Sequence, residues 1–236
     1  IYVMFDQTPP ILISCYNRPD KLYACLHSIA KCTNLNNRII YITSDAAAVE
    51  EDKPLVEKNR NIIDDFNNIL NIISFTSSEN TKGEIIQSTV MKIFETHPYL
   101  IALEEDNLLS EDFLLYMDYH LNNNLDNDTI FSICAYSFLT KKISYEPFHN
   151  YLFQFHSAWG SGYYANRWSE FLTATLDVNQ YIENYLFDIP SVLKRQKIAP
   201  HFLRNILSTY INGKNDKDIL ISIYMYQNKK FSIFPS

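Results

Sequence analysis

The sequence predicts an α/β fold organised on a mostly parallel sheet, and three observations carry the prediction. Short apolar runs ending in polar loops alternate with stretches of helical periodicity, in the order β-α-β-α-β-α-β up to residue 103. The chain has 236 residues, 47% of them hydrophobic, which suffices for the core of one large domain. Finally, the apolar run Tyr99-Leu100-Ile101-Ala102-Leu103 passes straight into Glu104-Glu105-Asp106. Acids belong at the mouth of a core strand, and in open α/β sheets the carboxyl ends of strands are where ligands bind.

Each element has its own signal. Residues 10 to 15 form an apolar run that ends in Tyr16-Asn17-Arg18-Pro19, where Pro19 suits the first turn of a helix. Leu22, Cys25, Leu26 and Ile29 recur at i, i+3, i+4 and i+7, the stripe of a helix lying on a sheet. Residues 38 to 43 give the second strand, ending at Ser44-Asp45, and the two strands with their helix make a right-handed βαβ unit. Residues 46 to 70 read as a charged stretch broken by Pro54, and 71 to 75 as the third strand. Ile85, Ile86, Val90, Ile93 and Phe94 form the next helical stripe.

Beyond the acidic triplet, Ser110 is expected to cap a helix with Glu111 and Asp112 in its first turn and Phe113, Leu114, Met117 and Leu121 facing inward. Residues 129 to 136 read as a fifth strand and 151 to 155 as an aromatic one. The segment from His156 to Gly162 holds two of the four glycines and reads as a loop shaping a pocket. Residues 166 to 212 are expected to be mostly helical, Asn215-Asp216-Lys217-Asp218 opens a last helix, and 231 to 234 form a last strand.

Composition excludes several classes. A net charge of −7 and a pI near 5.3 argue against a nucleic-acid partner, which is held by Lys and Arg on phosphates, and leave nucleotides and sugars open. The four cysteines form no C-x-x-C pair and read as reduced and buried in a cytoplasmic protein. No apolar run is long enough for a transmembrane segment, and no basic-then-apolar signal opens the chain. No G-x-G-x-x-G or G-x-x-x-x-G-K follows a strand, against a dinucleotide site or a P-loop. Three adjacent acids repel one another unless a cation or hydrogen-bond donors compensate them, and Mg²⁺ or Mn²⁺ prefers such oxygen ligands. The alternative is a solvated acidic turn. Side-chain alternation predicts that Glu104 and Asp106 point one way and Glu105 the other.

Taken together, Ile11 to Pro19, the strand ending Thr43-Ser44-Asp45, Leu103-Glu104-Glu105-Asp106 followed by Asp112-Phe113, and the Trp159-Gly160 loop resemble GT-A-fold nucleotide-sugar glycosyltransferases. The likeness is to bacterial surface-glycan (capsule or lipopolysaccharide) transferases and to the N-acetylglucosaminyltransferases that act on mannose, whose motif is usually Glu-Asp-Asp where this chain has Glu105 in the middle. It runs from about residue 10 to Pro235 and is strongest in the first 120 residues.

The resemblance implies a GT-A-like three-layer α/β/α sandwich with a mixed, mostly parallel sheet. It implies a single domain over 1–236, with 1–121 as the nucleotide-binding half and 122–236 as the acceptor-binding half. It further implies metal-dependent, inverting transfer of a hexosyl or N-acetylhexosaminyl group from a UDP-sugar donor to a glycan acceptor. Asp106 would hold Mn²⁺ or Mg²⁺, with Glu104 and Glu105 beside it in the cofactor-binding motif. Arg18 would contact the diphosphate and Asp45 the uracil ring; the other reading of Asp45 is a cap on the helix after its strand. Asp218 would be the catalytic base, with Asp216 in reserve, and either acid could instead stabilise a helix start. Trp159 and Gly160 would wall the sugar or acceptor pocket, against a core role for the tryptophan. His156 and His201 are left in structural roles. A sugar nucleotidyltransferase would need a Gly-rich basic loop after the first strand, and a catalytically silent glycan-binding or scaffold domain is the third reading. Further domains or subunits are compatible with the chain, as is a peripheral position at the inner face of a membrane.

Overall fold

The computed structural model describes residues 8–137, 150–188, 190, 192–194, 200–212 and 217–236. In chain order the elements are β1 (Ile11–Cys15), α1 (Pro19–Ile29), β2 (Ile39–Ser44), α2 (Lys53–Phe66), β3 (Asn71–Thr76), α3 (Glu84–Phe94), β4 (Tyr99–Glu104) and α4 (Phe113–Asn123). They continue with β5 (Ile130–Cys134), β6 (Asn150–Phe153), β7 (Ser161–Tyr164), α5 (Ala165–Ala174), α6 (Val178–Phe187), α7 (Pro200–Asn212), α8 (Lys217–Gln227) and β8 (Phe231–Pro235).

One eight-stranded sheet runs through the described residues in the order β3-β2-β1-β4-β7-β5-β8-β6. The pairs β1–β2, β1–β4, β2–β3 and β5–β8 are parallel, whereas β7 is antiparallel to both β4 and β5 and β6 is antiparallel to β8. The mixed, mostly parallel sheet of an α/β/α sandwich is therefore the architecture observed. Strand alternation divides the core in two. Ile11, Ile13, Ile101 and Leu103 turn towards α1, α2 and α4, and Leu12 and Leu100 towards α3, α5, α6, α7 and α8. Each fully buried aliphatic side chain of this kind contributes about 1.5–3 kcal/mol.

Local chemistry explains most boundaries. Pro19 occupies the first turn of α1, and all four residues of its predicted stripe are buried. Pro54 does not break a charged stretch as expected; it sits in the first turn of α2, where its missing N–H costs nothing. Ser110 is not the cap of α4, which begins at Phe113 with Asp112 at the capping position. The Ser110 hydroxyl donates to that Asp112 carboxylate, and its carbonyl accepts from Phe113 N.

The segment read as a pocket-shaping loop is partly strand, because β7 opens at Ser161 and is buried along its length. Its two glycines have different causes. Gly160 has φ +73, the left-handed region that favours glycine. Gly162 lies inside β7, where an added Cβ would stand 2.8 Å from Leu121 Cδ2 and 3.0 Å from Met117 Cε, so it is a glycine because α4 presses on the strand. All four cysteines are free and buried, as expected. Among the described residues no helix is long and apolar enough to cross a membrane.

Candidate active site

The parallel register sets the strand ends level: Ser14 pairs with Thr43 on one side and with Glu104 on the other, so the loops after β1, β2 and β4 leave the sheet together. Arg18, the residue before α1, crosses between two of those loops. Its Nε donates to Glu105 Oε1 at 2.8 Å and its Nη1 to Asp106 Oδ2 at 2.7 Å. The hydrogen bond to Glu105 and the two carboxylate charges together raise the guanidinium pKa against the opposing effect of burial.

The expected alternation of the acids does not extend past the sheet. β4 ends at Glu104 and the chain turns, so Glu105 and Asp106 converge on Arg18, while Glu104 lines the same cleft as Arg18 and Glu105. The Glu104 carboxyl is pushed up by burial first and then by the negative charges of Asp106, Asp218 and Glu105. Among the described residues no group of three or more His, Cys, Asp or Glu side chains is poised to hold a metal ion. The donor set fits a hard cation bound by one or two carboxylates and completed by substrate phosphates, provided Arg18 releases Asp106.

Asp45, at the end of β2, is buried and heavily engaged. Its Oδ1 accepts from Ser77 Oγ at 2.6 Å, Ala46 N at 2.9 Å and Thr81 N at 3.0 Å. Its Oδ2 accepts from Thr81 Oγ1 at 2.8 Å, Thr81 N at 3.1 Å and Gly83 N at 3.3 Å. Burial alone would raise its pKa, but the hydrogen bonds from Ser77, Thr81 and Gly83 outweigh that and lower it. Asp45 does not cap the following helix, since α2 begins only at Lys53. It instead pins residues 77 to 83, where Lys82 and Gly83 take φ of +52 and +87. Such a backbone persists when its surroundings over-determine it. The lone pairs of its carboxylate are thus taken up by donors of the protein itself.

That loop closes one side of a cleft of about 450 Å³ lined by Cys15, Tyr16, Arg18, Asp45, Lys82 and Glu104, among others. Two of its lining residues are tied by Asp52, which accepts from Tyr16 Oη and Asn17 Nδ2, both at 2.8 Å. On the other side of Asp106 lies a second cleft of about 460 Å³, lined by Asn107, Phe113, Tyr136, Trp159 and Gly160. Trp159 is 53% exposed, which rules out the core role, and meets Tyr136 edge-on with ring centroids 4.7 Å apart. A Cβ on Gly160 would lie 3.2 Å from Phe113, so space as well as backbone favours glycine there.

Asp218 stands in the first turn of α8 with its side chain 52% exposed, and it borders a cavity of about 210 Å³ together with Glu104, Tyr163 and Trp168. Its neighbour Lys217 borders the same cavity and donates to Gln87 of α3, and burial lowers its pKa. Asp216 lies outside the described residues, so only Asp218 of the proposed pair can be located. The structure thus gathers Arg18, Asp45 and the acidic triplet around the strand ends, with Asp218 facing Glu104 from α8 and Trp159 beyond Asp106.

No protein-family model matches the chain, and no curated protein matches it. Solved structures do. S. aureus TarS 1-349 aligns with a TM-score of 0.47 and 10% identity over 72% of this chain and 49% of that one. The mannosyltransferase PcManGT from Pyrobaculum calidifontis, in complex with GDP-Man and Mn²⁺, aligns with a TM-score of 0.45 and 9% identity over 70% and 46%. The WbbM bifunctional glycosyltransferase aligns with a TM-score of 0.40 and 12% identity over 72% and 34%. The chain therefore spans about half or less of the length of these proteins.

Several residues of the site carried no signal in the sequence. Asp52 and Asn80 belong to it through contacts across 30 residues or more, such as the bond from Asn80 Nδ2 to Ala46 O at 2.6 Å, and Lys82 by lining the cleft. The polar run Ser77 to Gly83, between a strand and a helix, was the available hint.

Proposed function

We propose that this protein is a glycosyltransferase that moves a hexosyl or N-acetylhexosaminyl group from a UDP-sugar to a glycan acceptor, with inversion and with the help of Mn²⁺ or Mg²⁺. One observation carries the reading: at the end of β4, Glu105 and Asp106 hold a guanidinium, and Glu104 borders both the nucleotide-sized cleft beside Arg18 and the adjacent cavity that Asp218 lines. Residues 1–121 supply the donor side in this reading, and 122–236 the acceptor side.

Asp106 would hold the cation, with Glu104 and Glu105 in support, and the cation would neutralise charge on the departing diphosphate. Arg18 suits the same diphosphate, because its fork already grips two oxygen groups in parallel and a phosphate pair presents the same pattern. Binding of the donor then exchanges partners at Arg18, freeing Asp106. Asp45 keeps loop 77–83 against the nucleoside, and Trp159 and Gly160 wall the sugar. The acceptor hydroxyl attacks the anomeric carbon from the face opposite the leaving group; the bond to the diphosphate oxygen breaks as the new glycosidic bond forms. Asp218 takes the hydroxyl proton. Glu104 borders the same cavity as the base.

Calorimetric titration with UDP, with and without Mn²⁺, tests this. Binding that Mn²⁺ strengthens is expected; absence of binding to UDP under both conditions defeats the reading.

A further inference from the structure

His156 is a buried titratable group that the proposed mechanism leaves unused. It lies between β6 and β7, 2% exposed, and both ring nitrogens are occupied: Nδ1 is 3.3 Å from Ser132 Oγ on β5 and Nε2 is 2.8 Å from Tyr163 Oη on β7. Ser132 in turn meets Ser232 of β8, Oγ to Oγ, at 2.7 Å. A histidine serving only the core would be satisfied by these contacts. Yet His156 also touches α8 twice. Its Nε2 lies 3.9 Å from Asp218 Oδ1, and its backbone N–H donates to Ser222 Oγ at 3.4 Å. Positions 218 and 222 share one face of the helix, one turn apart. Contacts at two heights on one face fix both the rotation of a helix and its position along its axis.

We infer that His156 is a positioning residue for Asp218, referencing the first turn of α8 to the ends of β5, β7 and β8 so that the carboxylate meets the acceptor hydroxyl. This rests on the proposed role of Asp218 as base. Glu104 brings a negative charge near Asp218 from β4, and the imidazole supplies a polar contact to the Asp218 carboxylate. A displacement of the base by about 1 Å costs up to about 100-fold in rate, so loss of the reference is read in turnover and hardly in donor binding.

The test uses the whole protein with Mn²⁺ and a panel of UDP-hexoses, following hydrolysis with water as acceptor, alongside calorimetry with UDP. His156→Leu should lower turnover about 10- to 100-fold while UDP affinity changes less than about twofold, and His156→Gln should recover part of the loss. In the Asp218→Asn background the same His156→Leu change should add nothing, because a group that acts through Asp218 has nothing left to position. Unchanged turnover in His156→Leu, or a loss that multiplies with that of Asp218→Asn, overturns the inference. If the native protein binds UDP but hydrolyses no UDP-hexose, or binds no UDP at all, amide hydrogen exchange decides. Faster exchange at Ile221 and Ser222 in His156→Leu supports the tie to α8, and unchanged exchange refutes it.

Discussion

Neutralising Asp45 separates two ways in which a buried acid beside the proposed nucleotide cleft can act. In Asp45→Ala the N–H groups of Thr81 and Gly83 lose their acceptor, while Ala46 N keeps Ser77 Oγ at 3.0 Å. Thr81 and Gly83 are only half-buried, so the two orphaned donors, at the low end of about 1–3 kcal/mol each, place the loss of stability near 2–3 kcal/mol. Asp45→Asn keeps one acceptor oxygen, but whichever way the amide is turned its NH₂ faces Gly83 N–H or Ala46 N–H, so about 2 kcal/mol is expected. Urea denaturation at pH 7 measures both. The pH dependence has a definite sign: a carboxyl whose folded pKa is lowered contributes stability that is fully present above its unfolded pKa, about 3.9, and is lost as pH falls through the folded one. The gap between native protein and Asp45→Asn should therefore be widest near neutrality and close as pH drops below about 4. Both variants should also bind UDP more weakly, since the loop over the nucleoside is loosened. Denaturation midpoints unchanged in both variants, combined with weakened UDP, would refute this reasoning and make Asp45 a direct contact to the base.

Three further outcomes follow. Asp106→Ala should abolish the Mn²⁺ enhancement of UDP binding without changing the far-ultraviolet circular dichroism; an enhancement that survives removes Asp106 as the ligand. Asp218→Asn should keep UDP affinity and lower turnover by about 10² to 10⁴, measured as sugar transfer or hydrolysis, and full activity in that variant would put the base elsewhere. Gly162→Ala must fit a Cβ at 2.8 Å from Leu121 and 3.0 Å from Met117, so chemical denaturation should register a loss of about 1–3 kcal/mol from overpacking, and no loss would mean that α4 yields freely.

Local signals in the sequence were legible where one residue type has one physical use. The stripe of α1, the proline at its start and the acids at the end of β4 follow from periodicity and from the cost of burying charge. β7 was missed because a strand buried on both faces shows no alternation, and because Ser161-Gly162 reads as flexible when only its contact with α4 explains the glycine. The direction of Glu105 could not be read from alternation, which ends where the strand does. Pro54 has the same letter in a helix start as in a break, and the preceding 3₁₀ turn at Glu50–Asp52 decides between them. Apart from Asp45 with Ala46 and His156 with Tyr163, the contacts of Asp45 and His156 join residues 22 to 66 positions apart, distances at which a single sequence carries no pattern.

The insertion of β7 between β4 and β5 has a consequence for how the chain is made. β4 has β1 on one side from early in synthesis, but its other edge is covered only when residues 161 to 164 arrive, 57 residues after Glu104 (161 − 104 = 57). At about 5–20 residues per second, the strand that ends in the acidic triplet waits roughly 3–11 s with its Leu100 and Ile101 backbone unpaired. An apolar strand edge left open is a template for pairing with another chain. A nascent chain stalled, or a gene truncated, between residues 121 and 160 should therefore depend on chaperones or aggregate, while release of a few further residues past Tyr164 lets the four parallel strands already made be sealed from the side.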